Sequence, residues 1–281
     1  MAAWETLVDA ATLRNALAGS TPPVVFDCRF VLTDPDGGEA AYRDGHLPGA
    51  HYAHLDRDLS GPAGDGGRHP LPAADAVLHW AEAHGVSADT QVVCYDDGIG
   101  AFAARLWWLL RWLGHRAVAV LDGGVSAWLS SGGVLVDTPT APALPGHLTQ
   151  RASGFQTRSV VEVEAISAEG SACLIDARDR QRYLGEHEPF APVAGHIPLA
   201  RSRPFPSNCD TEGRFHPPER LRAEFAAYGE GECVCYCGSG VTACHNILAA
   251  VHAGLDPPRL YVGSWSQWVL DPDRPVATGA G

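Results

Sequence analysis

The sequence is short of positive charge. Twenty basic residues stand against 33 acidic ones, for a net charge of −13. No Lys/Arg cluster offers the footprint needed to displace nucleic-acid counterions. An acidic chain also repels anionic membranes. Neither a nucleic acid nor a membrane is therefore an expected partner, and an anionic small molecule has to find positive potential locally. Long apolar runs are missing too. The most apolar stretch, from Ala101 to Leu113, holds Arg105 and Arg111 and is too short to span a bilayer. The first five residues, Met1 to Glu5, have neither the basic nor the apolar block of a secretory signal. A cytoplasmic location is expected, and with it eight reduced cysteines rather than disulfides.

The chain has 281 residues, 46% of them hydrophobic and 19% charged. That is ordinary for a globular protein, and at about 150 residues per domain it suggests two domains. An internal repeat gives the relation between them. Val25-Phe-Asp-Cys-Arg29 resembles Leu174-Ile-Asp-Ala-Arg178, and Gly45-His-Leu-Pro-Gly-Ala50 resembles Gly195-His-Ile-Pro-Leu-Ala200. Val92-Val-Cys-Tyr-Asp96 resembles Cys233-Val-Cys-Tyr-Cys237, and GGVSAW from Gly123 resembles GSWSQW from Gly263. Asp27 to His46 spans 19 residues and Asp176 to His196 spans 20; Asp96 to Gly123 spans 27 and Cys237 to Gly263 spans 26. Four matches in one order at like spacing indicate a duplicated domain. The halves are expected at 1–137 and 157–281, with a Pro/Thr/Ala/Gly-rich linker at 138–156.

Short β-branched runs at 23–27, 91–95, 117–121, 172–176 and 232–236 read as buried strands. Helical stretches at 74–84, 100–113 and 241–253 are each followed by a glycine: Gly85, Gly114 and Gly254. Strands alternating with helices imply an α/β fold, each half a mostly parallel sheet covered on both faces.

The most informative stretch runs from Cys233 to His245, CVCYCGSGVTACH. A strand ends at Tyr236, a helix begins near Val241 or Thr242, and a Gly-rich turn headed by Cys237 lies between. The carboxyl ends of strands in such sheets form the usual ligand crevice. Converging backbone N–H groups and a helix N-terminus both favour thiolate over thiol. A cysteine phosphatase needs an arginine six residues after its nucleophile, but Ala243 stands there. Nothing specific supports a papain-like protease.

At this loop, and over nearly the whole chain, the sequence resembles the tandem rhodanese-like sulfurtransferases. The resemblance rests on Asp176-Ala-Arg178, Arg182-Tyr-Leu-Gly185, Gly195-His-Ile-Pro198, the CGSGVTA loop (237–243) and Tyr261-Val-Gly-Ser-Trp265. It implies that only the second half is catalytic; the counterpart of Cys237 in the first half is Asp96, which cannot carry sulfur. The neutral Gly238-Ser239-Gly240 looks like the loop of 3-mercaptopyruvate sulfurtransferases, whereas thiosulfate-type rhodaneses place basic residues there. In that family the serine handles the substrate carbonyl or its enolate. Arg182 matches the arginine that binds the substrate anion, for which a guanidinium is well shaped. A second arginine that some mercaptopyruvate enzymes carry ahead of Gly-His-Ile-Pro is missing from Glu186–Ala194, and Leu199 stands where the family usually has Gly.

The expected chemistry is a covalent relay. Cys237 takes sulfur from 3-mercaptopyruvate as a persulfide. Ser239, backed by His46 of the other half, assists proton transfer to the departing enolate. Gly238, Gly240, Val241, Thr242 and Ala243 supply the N–H nest. A thiol, or cyanide in an assay, takes the outer sulfur, and no metal or organic cofactor is required. The alternatives are a thiosulfate:cyanide sulfurtransferase and a non-catalytic persulfide carrier or binding module. Blander roles stand beside these. Ser239 would serve equally as a turn or cap residue, and the equivalence of His46 and His196 suggests a shared structural role. The same equivalence makes Asp27/Arg29 and Asp176/Arg178 structural ion pairs. Asp36 is a possible partner of His46. Cys233, Cys235 and Cys237 alternate along one strand, a spacing that suits zinc poorly. Cys244 reads as a small core residue, with a redox role as its alternative, and Trp265 as a packing residue, with lining the cleft as its alternative.

Overall fold

The computed structural model describes residues 3–141, 143–229 and 231–280. The chain forms two compact units. The first comprises residues 1–60, 72–153 and 209–215, and the second residues 61–71, 154–208 and 216–281.

In the first unit the elements run β1 (Leu7–Val8), α1 (Ala10–Leu17), β2 (Val24–Asp27), α2 (Gly37–Asp44), β3 (Ala50–Tyr52), α3 (Ala74–Ala83), β4 (Val92–Tyr95), α4 (Ala103–Trp112), β5 (Val118–Leu121) and α5 (Gly124–Ser130). The second unit repeats them as β6 (Thr157–Arg158), α6 (Val160–Glu169), β7 (Cys173–Asp176), α7 (Arg180–Leu184), β8 (Arg201–Ser202), α8 (Pro218–Ala226), β9 (Cys233–Tyr236), α9 (Ala243–His252), β10 (Arg259–Tyr261) and α10 (Ser264–Trp268). The sheets are ordered β1-β5-β4-β2-β3 and β6-β10-β9-β7-β8, the same order in repeat-equivalent strands. Each strand pair within them is parallel.

Parallel strands need helical crossovers, which cover both faces and make the central strands continuously apolar. In β4 each residue from Val92 to Tyr95 is buried. One core packs Leu13, Val25, Val93, Leu121 and Trp128, and the other Leu174, Val234, Tyr236, Trp265 and Trp268. Burying a Val or Leu side chain stabilises by about 1.5–3 kcal/mol. The helices stop where the glycines predict: Gly85, Gly114 and Gly254 have φ of 83°, 88° and 76°, a left-handed conformation that costs glycine nothing. The described residues of 138–156 hold neither helix nor strand, and none of the described helices is long and apolar enough to cross a membrane.

The repeated Asp-x-Arg and Gly-His motifs build the same buried network in both units. Arg29 pairs with Asp27 and donates to the Gly45 carbonyl (2.6 Å); Arg178 pairs with Asp176 and donates to the Gly195 carbonyl (2.6 Å). His46 Nδ1 bonds the Tyr42 carbonyl at 2.8 Å and stacks on the Tyr42 ring. His196 bonds and stacks on Tyr183 in the same way, at 2.7 Å. Asp36 is the residue before α2 and makes no side-chain cap.

Candidate active site

Strand β9 delivers Cys237 to the carboxyl edge of its sheet, and the loop to α9 folds back over the sulfur. Gly240 adopts φ 79°, and its N–H donates to Cys237 Sγ at 3.2 Å. A Cβ at Gly240 would collide with the Val262 carbonyl, so both conformation and space require glycine there. The Cys237 N–H donates to Ser264 Oγ (3.1 Å), while the Cys237 and Gly238 carbonyls accept from the Trp265 and Ser266 N–H groups. Cys244 Sγ–H donates to the Gly240 carbonyl at 3.4 Å, which makes Cys244 a buried clamp on the loop. Trp265 is buried too, under the Arg178 guanidinium. Val241 and Thr242 complete the loop and Ala243 opens α9.

Ser239, within this turn, is 5% exposed, and its Oγ lies 2.7 Å from Nδ1 of His69, itself 7% exposed. The imidazole on Ser239 is therefore that of His69, where the sequence had pointed to His46. The reason is topological. His46 repeats His196, and its ring nitrogen is committed to the Tyr42 carbonyl. His69 comes from residues 61–71, a stretch of the first half of the chain that belongs to the second compact unit. The exchange is reciprocal, since residues 209–215 belong to the first unit. The first segment holds Gly67-Arg-His-Pro70, and a like motif, Gly213-Arg-Phe-His-Pro217, begins in the second and runs two residues past it. This fifth repeat match is the sequence signal that would have drawn attention to His69.

The same segment brings Arg68. A Cβ built on Gly238 would lie 3.1 Å from Arg182 Nη2 and 3.2 Å from Arg68 Nη2, so two guanidiniums flank the residue after Cys237. Arg68 Nη1 donates to the Phe190 carbonyl (3.2 Å), and its backbone N–H donates to Ser266 Oγ. Its Nε is buried with no hydrogen-bond partner among the described residues. Burial pulls the Arg68 guanidinium below its usual range, with Arg182 adding repulsion and Cys237 opposing. The stretch that lacks a second arginine supplies a carboxylate instead. Buried Glu188 accepts from Arg182 Nε (3.0 Å) and Nη2 (2.7 Å) and from Arg178 Nη1 (3.0 Å). Phe190 lies beneath both Arg68 and Arg182, at 5.3 and 5.2 Å from ring centroid to guanidinium carbon.

The first unit has the same turn without the sulfur. Asp96 Oδ1 accepts from the N–H groups of Gly98 and Gly100, and Oδ2 from those of Phe102 and Ala103, at 2.9–3.2 Å. The carboxylate fills its own nest. Burial pushes the Asp96 carboxyl up, and those four N–H groups oppose the rise.

Two parallel-sheet units of like topology, one bearing a cysteine over an N–H turn and the other an aspartate, match a known family. The Rhodanese-like domain model matches residues 9–131 and 159–271, and the chain belongs to that family. Among curated proteins it is 48% identical over 263 residues to the "Probable 3-mercaptopyruvate sulfurtransferase" of Pseudomonas aeruginosa, covering 91% of this chain and 92% of that protein. It is 34% identical over 291 residues to the "Thiosulfate sulfurtransferase" of Cricetulus griseus, covering 98% and 96%. Among solved structures, SseA of Escherichia coli, described as a 3-mercaptopyruvate sulfotransferase with the rhodanese fold, superposes with a TM-score of 0.79. That match is at 28% identity and covers 94% of this chain and all of that one.

Proposed function

We propose that this chain is a sulfurtransferase that accepts sulfane sulfur from 3-mercaptopyruvate on Cys237 and passes it to a thiol. The Cys237 thiolate attacks the donor sulfur, the C3–S bond breaks, and its electron pair leaves as the enolate of pyruvate. The donor's S–H proton stays on the outer sulfur of the persulfide, so C3 needs a proton from elsewhere. The Ser239 hydroxyl gives it, with His69 resupplying the hydroxyl. The Ser239–His69 hydrogen bond at 2.7 Å beside the cysteine turn carries this reading, because sulfite leaving thiosulfate needs no such proton. Arg182 keeps its Nη1/Nη2 edge for the donor carboxylate while Glu188 holds the other edge, and Arg68 adds the second charge. Gly238, Gly240, Val241, Thr242 and Ala243 form the backbone cradle of the persulfide. No residue of this scheme calls for a metal or organic cofactor.

A second reading, thiosulfate as donor, draws on the paired guanidiniums, which suit a dianion, and on the thiosulfate sulfurtransferases among the relatives. Comparing kcat/KM for the two donors with one acceptor separates them. Preference for 3-mercaptopyruvate by about tenfold or more, ~1.4 kcal/mol in the barrier, is expected. A preference for thiosulfate overturns the donor assignment. Little turnover with either, but a transferable persulfide, indicates a carrier.

A further inference from the structure

A second pair of thiols lies at the other end of β9. Cys173 opens β7 and Cys233 opens β9, and the two are direct register partners on adjacent parallel strands. Register partners project to the same face, with backbones about 4.8 Å apart, inside the ~4.4–6.8 Å Cα window of a disulfide. Both residues are half-buried, and their thiols lie close enough to shift one another's titration. Cys233 lines a cavity of about 810 Å³, with Arg222, Phe225, Leu255, Pro257 and Arg259 also in its wall. This cavity does not include the Cys237 turn; it reaches the dithiol from the Cys233 side.

The surroundings polarise the pair. Arg201 of β8 hydrogen-bonds the Cys173 sulfur, and Tyr228 and Cys235 also face it. The hydrogen bond from Cys233, followed by Arg201 and against the opposing effect of burial, brings the Cys173 thiol down to about 7. Cys233 moves in the opposite direction, chiefly because it donates to Cys173. One sulfur is thus poised as thiolate and the other as thiol. The first unit supplies a contrast: Cys28 also contacts a cysteine, Cys94, but both are buried, and burial drives Cys28 well above the thiol range.

We infer that Cys173 and Cys233 form a peroxide-reactive dithiol site, separate from the sulfur-transfer cysteine and closing to an intrachain disulfide. The Cys173 thiolate attacks the terminal oxygen of a hydroperoxide and the O–O bond breaks. The leaving alkoxide or hydroxide takes up a proton, and Cys173 becomes a sulfenic acid. Cys233 sulfur then attacks Cys173 sulfur, the S–OH bond breaks, and the hydroxide leaves as water with the Cys233 proton. Two thiols lose two electrons in all, and one hydroperoxide is reduced to an alcohol (or water) and a water. A dithiol reductant returns the site to its starting state.

The test uses the full chain with Cys237→Ser, so that the transfer cysteine does not contribute. Reduced protein is treated with hydrogen peroxide at pH 7, remaining thiols are alkylated, and a non-reducing digest is analysed by mass spectrometry. The expected product is the 173–233 cross-linked peptide pair, two hydrogens lighter than the sum of its parts, with Cys28 and Cys94 left as thiols. Cys173→Ser should slow peroxide-dependent thiol loss by about tenfold or more, because the thiol that remains, Cys233, is held protonated. Cys233→Ser should leave Cys173 as sulfenic acid, trapped by dimedone. The same dithiol should hold one phenylarsine oxide per chain, lost in either variant, a readout that needs no oxidation. Peroxide oxidising Cys173 without linking it to Cys233, or sparing both while the arsenical fails to bind, overturns the inference. Retained circular dichroism in each serine variant separates these outcomes from misfolding.

Discussion

His69 Nδ1 and Ser239 Oγ, 170 positions apart in the chain, meet at 2.7 Å. Removing either partner should interrupt protonation of the departing enolate. His69→Asn and Ser239→Ala are each expected to lower kcat with 3-mercaptopyruvate by about 10²–10⁴, the range for a positioned proton donor. Discharge of a preformed Cys237 persulfide to a thiol should change far less. Single-turnover kinetics for each half-reaction check this, and an unchanged first half-reaction removes the pair from the mechanism.

Arg182 and Arg68 flank Gly238, and each is expected to act on binding of the anionic donor. Arg182→Ala and Arg68→Ala should raise KM by about 10- to 100-fold, matching a charge-assisted hydrogen bond of ~1.5–3 kcal/mol. Arg182→Lys should not restore it, because an ammonium cannot face Glu188 and a carboxylate with two edges. Steady-state kinetics decide, and an unchanged KM removes that arginine from the substrate site.

Glu188 is the only carboxylate shown bonded to the Arg182 guanidinium among the described residues, and it also bonds Arg178; its side chain is 2% exposed. Replacing it with Ala leaves buried guanidiniums short of a counter-charge. Breaking a buried pair this way costs about 3–5 kcal/mol. A clear fall in the denaturation midpoint is expected for Glu188→Ala; a wild-type midpoint contradicts this role.

Asp96 stands in the first unit where Cys237 stands in the second, and its carboxylate occupies four backbone N–H groups. Asp96→Ala leaves those donors without their acceptor. At ~1–3 kcal/mol for one unsatisfied buried group, a loss of at least ~2 kcal/mol is expected in denaturant unfolding. No loss would show that water replaces the carboxylate freely.

The duplicated α/β architecture was legible in the sequence because buried parallel strands are uniformly apolar and the helices stop at glycines. Strands β2, β4, β5, β7 and β9 begin one residue inside the predicted runs, and α3 and α9 agree to within two residues. The two-residue edge strands β1, β6 and β8 were not legible, since so short an element leaves no periodicity. At the site, Cys237, Ser239 and Arg182 stood out because they lie in local motifs. His69, Arg68 and Glu188 did not. The first two reach the second unit through an exchanged segment, and a carboxylate that orients an arginine has no signature of its own. His46 drew attention through its motif, but its bonds are those of His196. The acidic balance also acquires a local meaning, since three arginines gather around one buried glutamate close to the cysteine turn.

The most direct test is the mass of Cys237 after donor treatment. The reduced chain is incubated with 3-mercaptopyruvate without acceptor, then digested and sequenced by mass spectrometry. A gain of about 32 Da, one sulfur atom, is expected on the Cys237 peptide, lost on adding a thiol and absent from Cys237→Ser. No adduct, or an adduct on another cysteine that persists in Cys237→Ser, would contradict sulfur transfer through Cys237.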